Sequence, residues 1–286
     1  MERRQAWLRQ YLTEQGYEPL PFVRSAQLST PPEQIALDIR RTLGLDEAWA
    51  AKQPNWTAAL RELQTRIEAA RITVAASSIV GNHPRRRLDP TEFRGFVLVD
   101  EYAPLVFLNS ADFKAAQMFT LAHELAHIWL GTSAAFDLRH LQPAKDKTEQ
   151  LCDRAAAEFL VPASELRDIW PSVAPQADPF QAIARRFKVS AIVAARRALD
   201  LKLITKETFY AFYDKYQERQ RHVTGRGKER GNFYATQTVR LGRFFSKTVI
   251  QAVRQGSLLY HDAYRLTGLY GRTFDRFVNY LTGPLP

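Results

Sequence analysis

The run TLAHELAHIWLG, residues 120–131, holds His123, Glu124 and His127 in an H-E-x-x-H spacing. Residues four apart on a helix share a face, about one turn apart, so the two imidazoles can reach one ion. Neutral imidazoles at about 2.0–2.1 Å suit Zn²⁺, and a catalytic zinc takes three protein ligands and keeps one position for water. Glu124 lies about 100° around the helix from His123. That sets it beside the ion, where it can take a proton from the bound water. The flanking Leu121, Ala122, Leu125, Ala126, Ile128 and Leu130 are apolar, so the helix reads as buried. Burying two imidazoles and a carboxylate without a partner is costly, and a metal is the partner that this trio fits.

A third ligand must come from elsewhere in the chain. Glu149, 22 residues past His127, opens the next helical pattern, and Asp153 follows it on the same face. In this reading Glu149 binds the ion, while Asp153 accepts a hydrogen bond from the far nitrogen of a ligand histidine and so fixes its tautomer. The other reading is a solvated helix start, where the dipole favours acids. Glu158 is a rival ligand, set among apolar residues deeper in that helix, and His140 lies in the segment between the two helices. For a donor to the developing oxyanion, Tyr102 in a hairpin turn is the first choice, with His222 and His261 as alternatives.

The elements that must position these groups follow from local pattern. Residues 1–17 and about 55–72 read as helices, and EQIALDIRRTLGL is a third, capped by Ser29-Thr30 ahead of Pro31-Pro32. Residues 77–93, rich in turn formers and charge, read as a loop. RGFVLVD and LVFLN (94–109) form a hairpin. Asn109 or Ser110 caps a helix from about Ala111 to Leu130, which Gly131 ends. A polar segment, 132–146, leads to a helix from Thr148 to Pro162. Two short helices fall in 180–204, and the remainder is helical with an interruption at 224–232. The fold class is α+β, dominated by helices.

Forty-five per cent hydrophobic residues over 286 positions support one large core or two modest ones. No stretch approaches about 18 uninterrupted apolar residues, so no membrane span is expected. The N-terminus lacks the apolar core of a signal peptide, and the single Cys152 excludes an internal disulfide framework, which suits a cytoplasmic protein. The net charge of +10 is uneven: from residue 201 onward 15 lysines and arginines face 6 acids. Such asymmetry fits either an acidic partner, nucleic acid included, or a solvated basic helical surface.

RGFVLVDEYAPLVFLNSADFKAAQMFTLAHELAHIWLG, followed by EQLCDRAAAEFLVP, resembles the ImmA/IrrE family of metallo-endopeptidases across about 94–162. The order is shared: hairpin, H-E-x-x-H helix, then an acidic start and an A-A-E-x-L-x-P ending on the next helix. The resemblance implies a zincin-like metalloprotease core with a small sheet and a helical C-terminal region. It implies His123, His127 and Glu149 as zinc ligands and Glu124 as general base, in the manner of gluzincins. The family often has Asn where Asp153 stands. Members typically cleave helix-turn-helix repressors of mobile elements or stress regulons, often encoded beside them. Residues 1–75 show no clear helix-turn-helix, so a repressor or antitoxin is expected as a separate protein partner.

The expected division is an N-terminal helical region (1–75), the metallopeptidase core (76–175), a helix-turn-helix-like unit (176–205) and a basic helical region (206–286). Within the third, AIVAARRAL offers few polar side chains for base edges, so packing is the expected role. The expected activity is zinc-dependent cleavage of a repressor or antitoxin, with the hairpin 96–108 offering an edge strand to an extended substrate. The alternative is a DNA- or protein-binding regulator that uses the basic C-terminal region and keeps a non-catalytic zinc.

Overall fold

The computed structural model describes residues 1–81, 83–133, 135–136, 146–221 and 232–282. Its centre is a four-stranded sheet in the order β1-β3-β2-β4: β1 is Thr73–Ser77, β2 Gly95–Leu98, β3 Leu105–Asn109 and β4 Ala135–Phe136. Val106 of β3 pairs with Val74 in parallel and with Val97 in antiparallel, and β2 pairs with β4 through Gly95 and Phe136. Alternate residues of a strand face opposite ways. Val74, Ala76, Val97, Val106 and Leu108 accordingly join the main core, and Ala75, Leu105 and Phe107 form a small cluster on the other face.

The hairpin falls where the sequence places it, but β1 and β4 were not foreseen. β1, TVAAS, is buried at all five positions, so it lacks the polar alternation by which a half-exposed strand is recognised. Nor does the hairpin supply an edge: β3 is covered by β1 and β2 by β4. Beyond that pairing, Leu98 O accepts from Gln5 Nε2 and Val99 N donates to Ser133 Oγ.

Helices enclose the sheet. In chain order they are α1 (Glu2–Glu14), α2 (Pro32–Leu43), α3 (Trp56–Ala69), α4 (Lys114–Leu130), α5 (Lys147–Leu160), α6 (Ala163–Val173), α7 (Pro179–Phe187) and α8 (Ala191–Asp200). The basic region adds α9 (Lys206–Arg221), α10 (Phe233–Leu241), α11 (Arg243–Arg254), α12 (Tyr260–Thr267) and α13 (Arg272–Thr282). The architecture is helix-dominated α+β with a zincin-like core. No helix among the described residues is long and apolar enough to cross a membrane.

α4 is the wall of the candidate site. Every residue from Thr120 to Trp129 is buried, as expected of a helix enclosed on all sides. It starts at Lys114 rather than Ala111. Asn109 does not cap it: its side chain accepts from Ala111 N and donates to Phe93 O, fixing the turn out of β3. Ser29 and Thr30 do not cap α2 either; Pro31 occupies the cap position and the Thr30 hydroxyl accepts from Gln27 N. Gly131 does end α4, at φ 73°, a left-handed conformation that glycine adopts without steric cost.

α5 is held at both ends. Asp146 caps its start by accepting from Thr148 N. Its last turn exposes carbonyls that no glycine motif satisfies, and two buried arginines supply the donors. Arg40 of α2 donates to the carbonyls of Glu158 and Phe159, and Arg197 of α8 donates to Val161 O and pairs with the Glu158 carboxylate. Cations at a helix C-terminus also oppose its dipole favourably. Glu158 is therefore tied into this packing node. α8 buries Ala194, Ala195, Arg197 and Ala198, and Arg196 pairs with Asp200.

The two ends of the chain meet. Leu8, Tyr11 and Leu12 of α1 form a separate core with α11, α12 and α13, centred on Phe245, Phe274 and Phe277. Tyr11 Oη donates to Gln255 Oε1, and Arg4 Nε to Leu266 O.

Candidate metal centre

Three donor side chains converge where α4 and α5 cross. His123 Nε2 lies 3.1 Å from Glu149 Oε2, His127 Nε2 lies 3.4 Å from Glu149 Oε1, and the two Nε2 atoms are 3.0 Å apart. A tetrahedral ion with bonds of about 2.0–2.1 Å separates its ligand atoms by about 3.3 Å. The triangle formed by these side chains is of that size.

The far nitrogens are fixed in the way such a site requires. His123 Nδ1 is 3.0 Å from Asp153 Oδ1; an ionised carboxylate only accepts, so Nδ1 carries a hydrogen and Nε2 is the nitrogen left to offer a lone pair to an ion once its own proton leaves. His127 Nδ1 is 2.9 Å from Thr132 Oγ1. Thr132 was not anticipated from sequence. Its backbone N–H also donates to His127 O just past Gly131, so the left-handed turn that ends α4 also brings the hydroxyl to the ring.

Electrostatics favour a cation. Burial alone would strip the proton from His123, but the hydrogen bonds to Asp153 and Glu149 and the Glu124 charge outweigh it and push the ring up to about 9. Hydrogen bonds with His123 and His127 hold the Glu149 carboxyl well below the usual carboxylate range. In the metal-free protein a proton thus fills the space between His123 and Glu149, and the same negative surroundings would hold a metal in its place. Glu124 differs in kind. It is fully buried, neither carboxylate oxygen has a hydrogen-bond partner, and burial pushes it up to about 8. Buried polar groups are rarely left unsatisfied; one beside a set of metal donors is placed to meet what the metal brings.

Cys152 also enters the site, which the sequence reading missed. Its Sγ and one ring nitrogen of each histidine lie within 4.8 Å of one another. It stands three residues after Glu149 on the same helix face, and that spacing was the available signal. Burial, and then the Glu149, Glu124 and Asp153 charges, push the thiol up and keep it protonated. Glu149 fits the third position better, because its oxygens lie within 3.4 Å of both Nε2 atoms.

The other candidates lie apart. Tyr102 sits in the hairpin turn, its N–H bonded to Asp100 Oδ1 and its ring beneath the Arg9 guanidinium. His261 pairs with Asp262 on α12. Among the described residues, no hydrogen bond joins either to the histidine cluster. His140 and His222 lie outside the described residues.

Two results are expected. The folded-state pKa of His123 is raised from 6.5 to about 9, so its contribution to stability is fully present below pH 6.5 and is lost as pH rises through about 9. The metal-free protein should therefore melt at lower temperature as pH rises across that window. Metal affinity should rise over the same window as the competing proton leaves; calorimetric melting with and without chelator checks both. Second, Asp153→Ala and Thr132→Val should each weaken metal binding by about 10–100-fold, read by competition with a chromogenic chelator. An unchanged affinity in both would mean that these contacts do not orient the rings.

Residues 67–199 match the family model described as the IrrE N-terminal-like domain, Peptidase_M78. Residues 241–280 match a second model, described as a domain of unknown function, DUF8813. No curated protein matches the chain. The first match runs from the end of α3 to the end of α8 and takes in β1, β2, β3, α4 and α5. It contains every side chain of the three-donor cluster, so over residues 67–199 the chain is similar to the Peptidase_M78 family of IrrE N-terminal-like domains, which supports the ImmA/IrrE resemblance.

Proposed function

We propose that the protein is a zinc-dependent endopeptidase that cuts a protein partner. The observation that carries this reading is Glu124: a buried carboxylate with no hydrogen-bond partner, next to two histidines and a glutamate whose donor atoms converge. A purely structural metal site needs no such group.

His123, His127 and Glu149 would hold the ion, oriented by Asp153 and Thr132. When bound, zinc polarises a scissile carbonyl and makes water acidic near neutral pH. Glu124 takes the proton of the attacking water and returns it to the leaving amine. Its raised proton affinity suits that shuttle, since a general base works best with a pKa near the working pH. The carboxylates of α5 border the accessible side of the site: Glu149 is 27% exposed and Asp153 35%, against 0% for His123. Substrate would approach over the start of α5.

The substrate class follows from the ImmA/IrrE resemblance: a helix-turn-helix repressor or an antitoxin, in the cytoplasm. The test is a map of new protein N-termini in cells making the wild type or Glu124→Gln. Termini that depend on Glu124 and fall in a helix-turn-helix protein support the proposal. Identical maps from the two proteins would sink it.

A further inference from the structure

Outside the metal centre, the loop 79–87 folds back on itself: Ile79 bridges Arg87, and Val80 N donates to Arg86 O at 2.8 Å. It stands against α10 and the turn between α12 and α13. The three enclose a groove of about 390 Å³ whose walls include Pro84, Phe233, Arg240 and Tyr270, with no acidic residue among them. Phe233 is 50% exposed and Tyr270 64%, so the groove presents aromatic surface to solvent.

The charge around it is unbalanced. Arg85, Arg86 and Arg87 follow Pro84 in the loop, Arg240 lies in the wall, and Arg272 follows the turn that carries Tyr270; all but Arg240 are exposed. None of these five guanidiniums has a hydrogen-bond or ion-pair partner among the described residues. Several arginines elsewhere are matched with acids, Arg9 with Asp100, Arg66 with Glu62, Arg186 with Glu165 and Arg196 with Asp200, whereas here five lie around one groove without an acidic partner among the described residues. Crowding like charges without counter-ions is unfavourable for the free protein, and it becomes favourable when a polyanion supplies them.

We propose that this groove binds single-stranded nucleic acid, with phosphodiesters on the arginines and unpaired bases stacked on Phe233 and Tyr270. A backbone-tracking cationic groove with aromatic platforms is how single strands are held without base readout. A duplex keeps its base faces stacked inside and would leave the two rings unused. An acidic peptide would satisfy the arginines but likewise has no need of the rings. The groove joins a loop within the IrrE N-terminal-like match to α10 and to the α12–α13 turn, which lies in the match to the domain of unknown function, and the proposal stands whether or not the peptidase reading holds.

Fluorescence anisotropy of the metal-loaded full chain tests it, with labelled oligothymidylate, oligouridylate, a mixed-sequence duplex and a polyglutamate competitor. Single strands should bind more tightly than the duplex, and polyglutamate should compete poorly. The tighter of the two homopolymers identifies DNA or RNA as the source. Tyr270→Ala and Phe233→Ala should each weaken binding about 5–100-fold. Arg86→Gln with Arg87→Gln should reduce the salt slope by about 1.4, at about 0.7 per phosphate contact. Arg167→Gln, exposed on α6, should change neither, and circular dichroism of each variant checks that the fold is kept. The proposal is overturned if no single strand binds, if duplex or polyglutamate binds as tightly, or if both aromatic variants keep full affinity.

Discussion

Glu124→Gln should cut peptide hydrolysis by about 10²–10⁴-fold, the range that a positioned proton-transfer group contributes, and leave metal content at the wild-type level. The two halves of this result test different statements. Retained metal says that Glu124 is not a ligand, as its place around the helix from the Nε2 cluster requires. Lost cleavage says that its proton matters. Glutamine has the same shape and no charge to bury, while burial already pushes the Glu124 carboxyl up to about 8. The metal-free variant should therefore melt no lower than the wild type at pH 8, in keeping with active-site groups held at some cost to stability. Plasma emission spectrometry, cleavage of a mapped substrate and calorimetry give the three readings. Loss of metal in the variant would overturn the assignment of roles, and full cleavage would overturn the mechanism.

Glu158→Ala should destabilise the fold by about 3–5 kcal/mol, the usual cost of leaving a buried charge without its partner. Arg197 is 8% exposed and Glu158 9%, so water cannot replace the missing carboxylate. The effect should not remain local. Arg197 and Arg40 fasten the last turn of α5, while Glu149, Cys152 and Asp153 stand in its first two turns. Metal affinity should thus fall although no ligand is touched. A double variant, Glu158→Leu with Arg197→Met, should recover part of the stability, as buried ion pairs replaced by apolar side chains often do. Urea titrations of the three proteins decide the matter: a single variant within about 0.5 kcal/mol of wild type, the range typical of surface changes, would show that the pair carries no such weight.

The legible parts of this molecule were those governed by short-range period. A helical repeat puts His123 and His127 on one face, and an acidic helix start puts Glu149 and Asp153 on another; the structure brings the two faces together. The hairpin was readable because β2 and β3 carry strand-forming residues around a turn. β1 was hidden because Ala75 and Ala76 fit any element, and its identity as a strand rests on pairing with β3. Thr132 and Cys152 were passed over because a turn threonine and a lone buried thiol have ordinary explanations by themselves. The Arg40, Glu158 and Arg197 node joins three helices far apart in sequence, and nothing local foretells which buried arginine meets which acid. The hairpin's outer edge was misjudged for a similar reason: β4, only two residues long, leaves almost no pattern to read.

The junction of α1 with the last helices bears on how the molecule is made. Leu8, Tyr11 and Leu12 are made before the phenylalanines that receive them, Phe245, Phe274 and Phe277, which come more than two hundred residues later. During synthesis the opening helix has an apolar face and nowhere to put it. The segment that carries the candidate metal site, residues 114–160, is made well before those phenylalanines. Assembly then has an order: the centre sets, and α1 is locked down afterwards by α11, α12 and α13, across more than two hundred residues. Such closure is slow, because distant contacts must be brought together before they stabilise anything. Arrival of α11, α12 and α13, rather than formation of the candidate metal site, is the event that completes this second core.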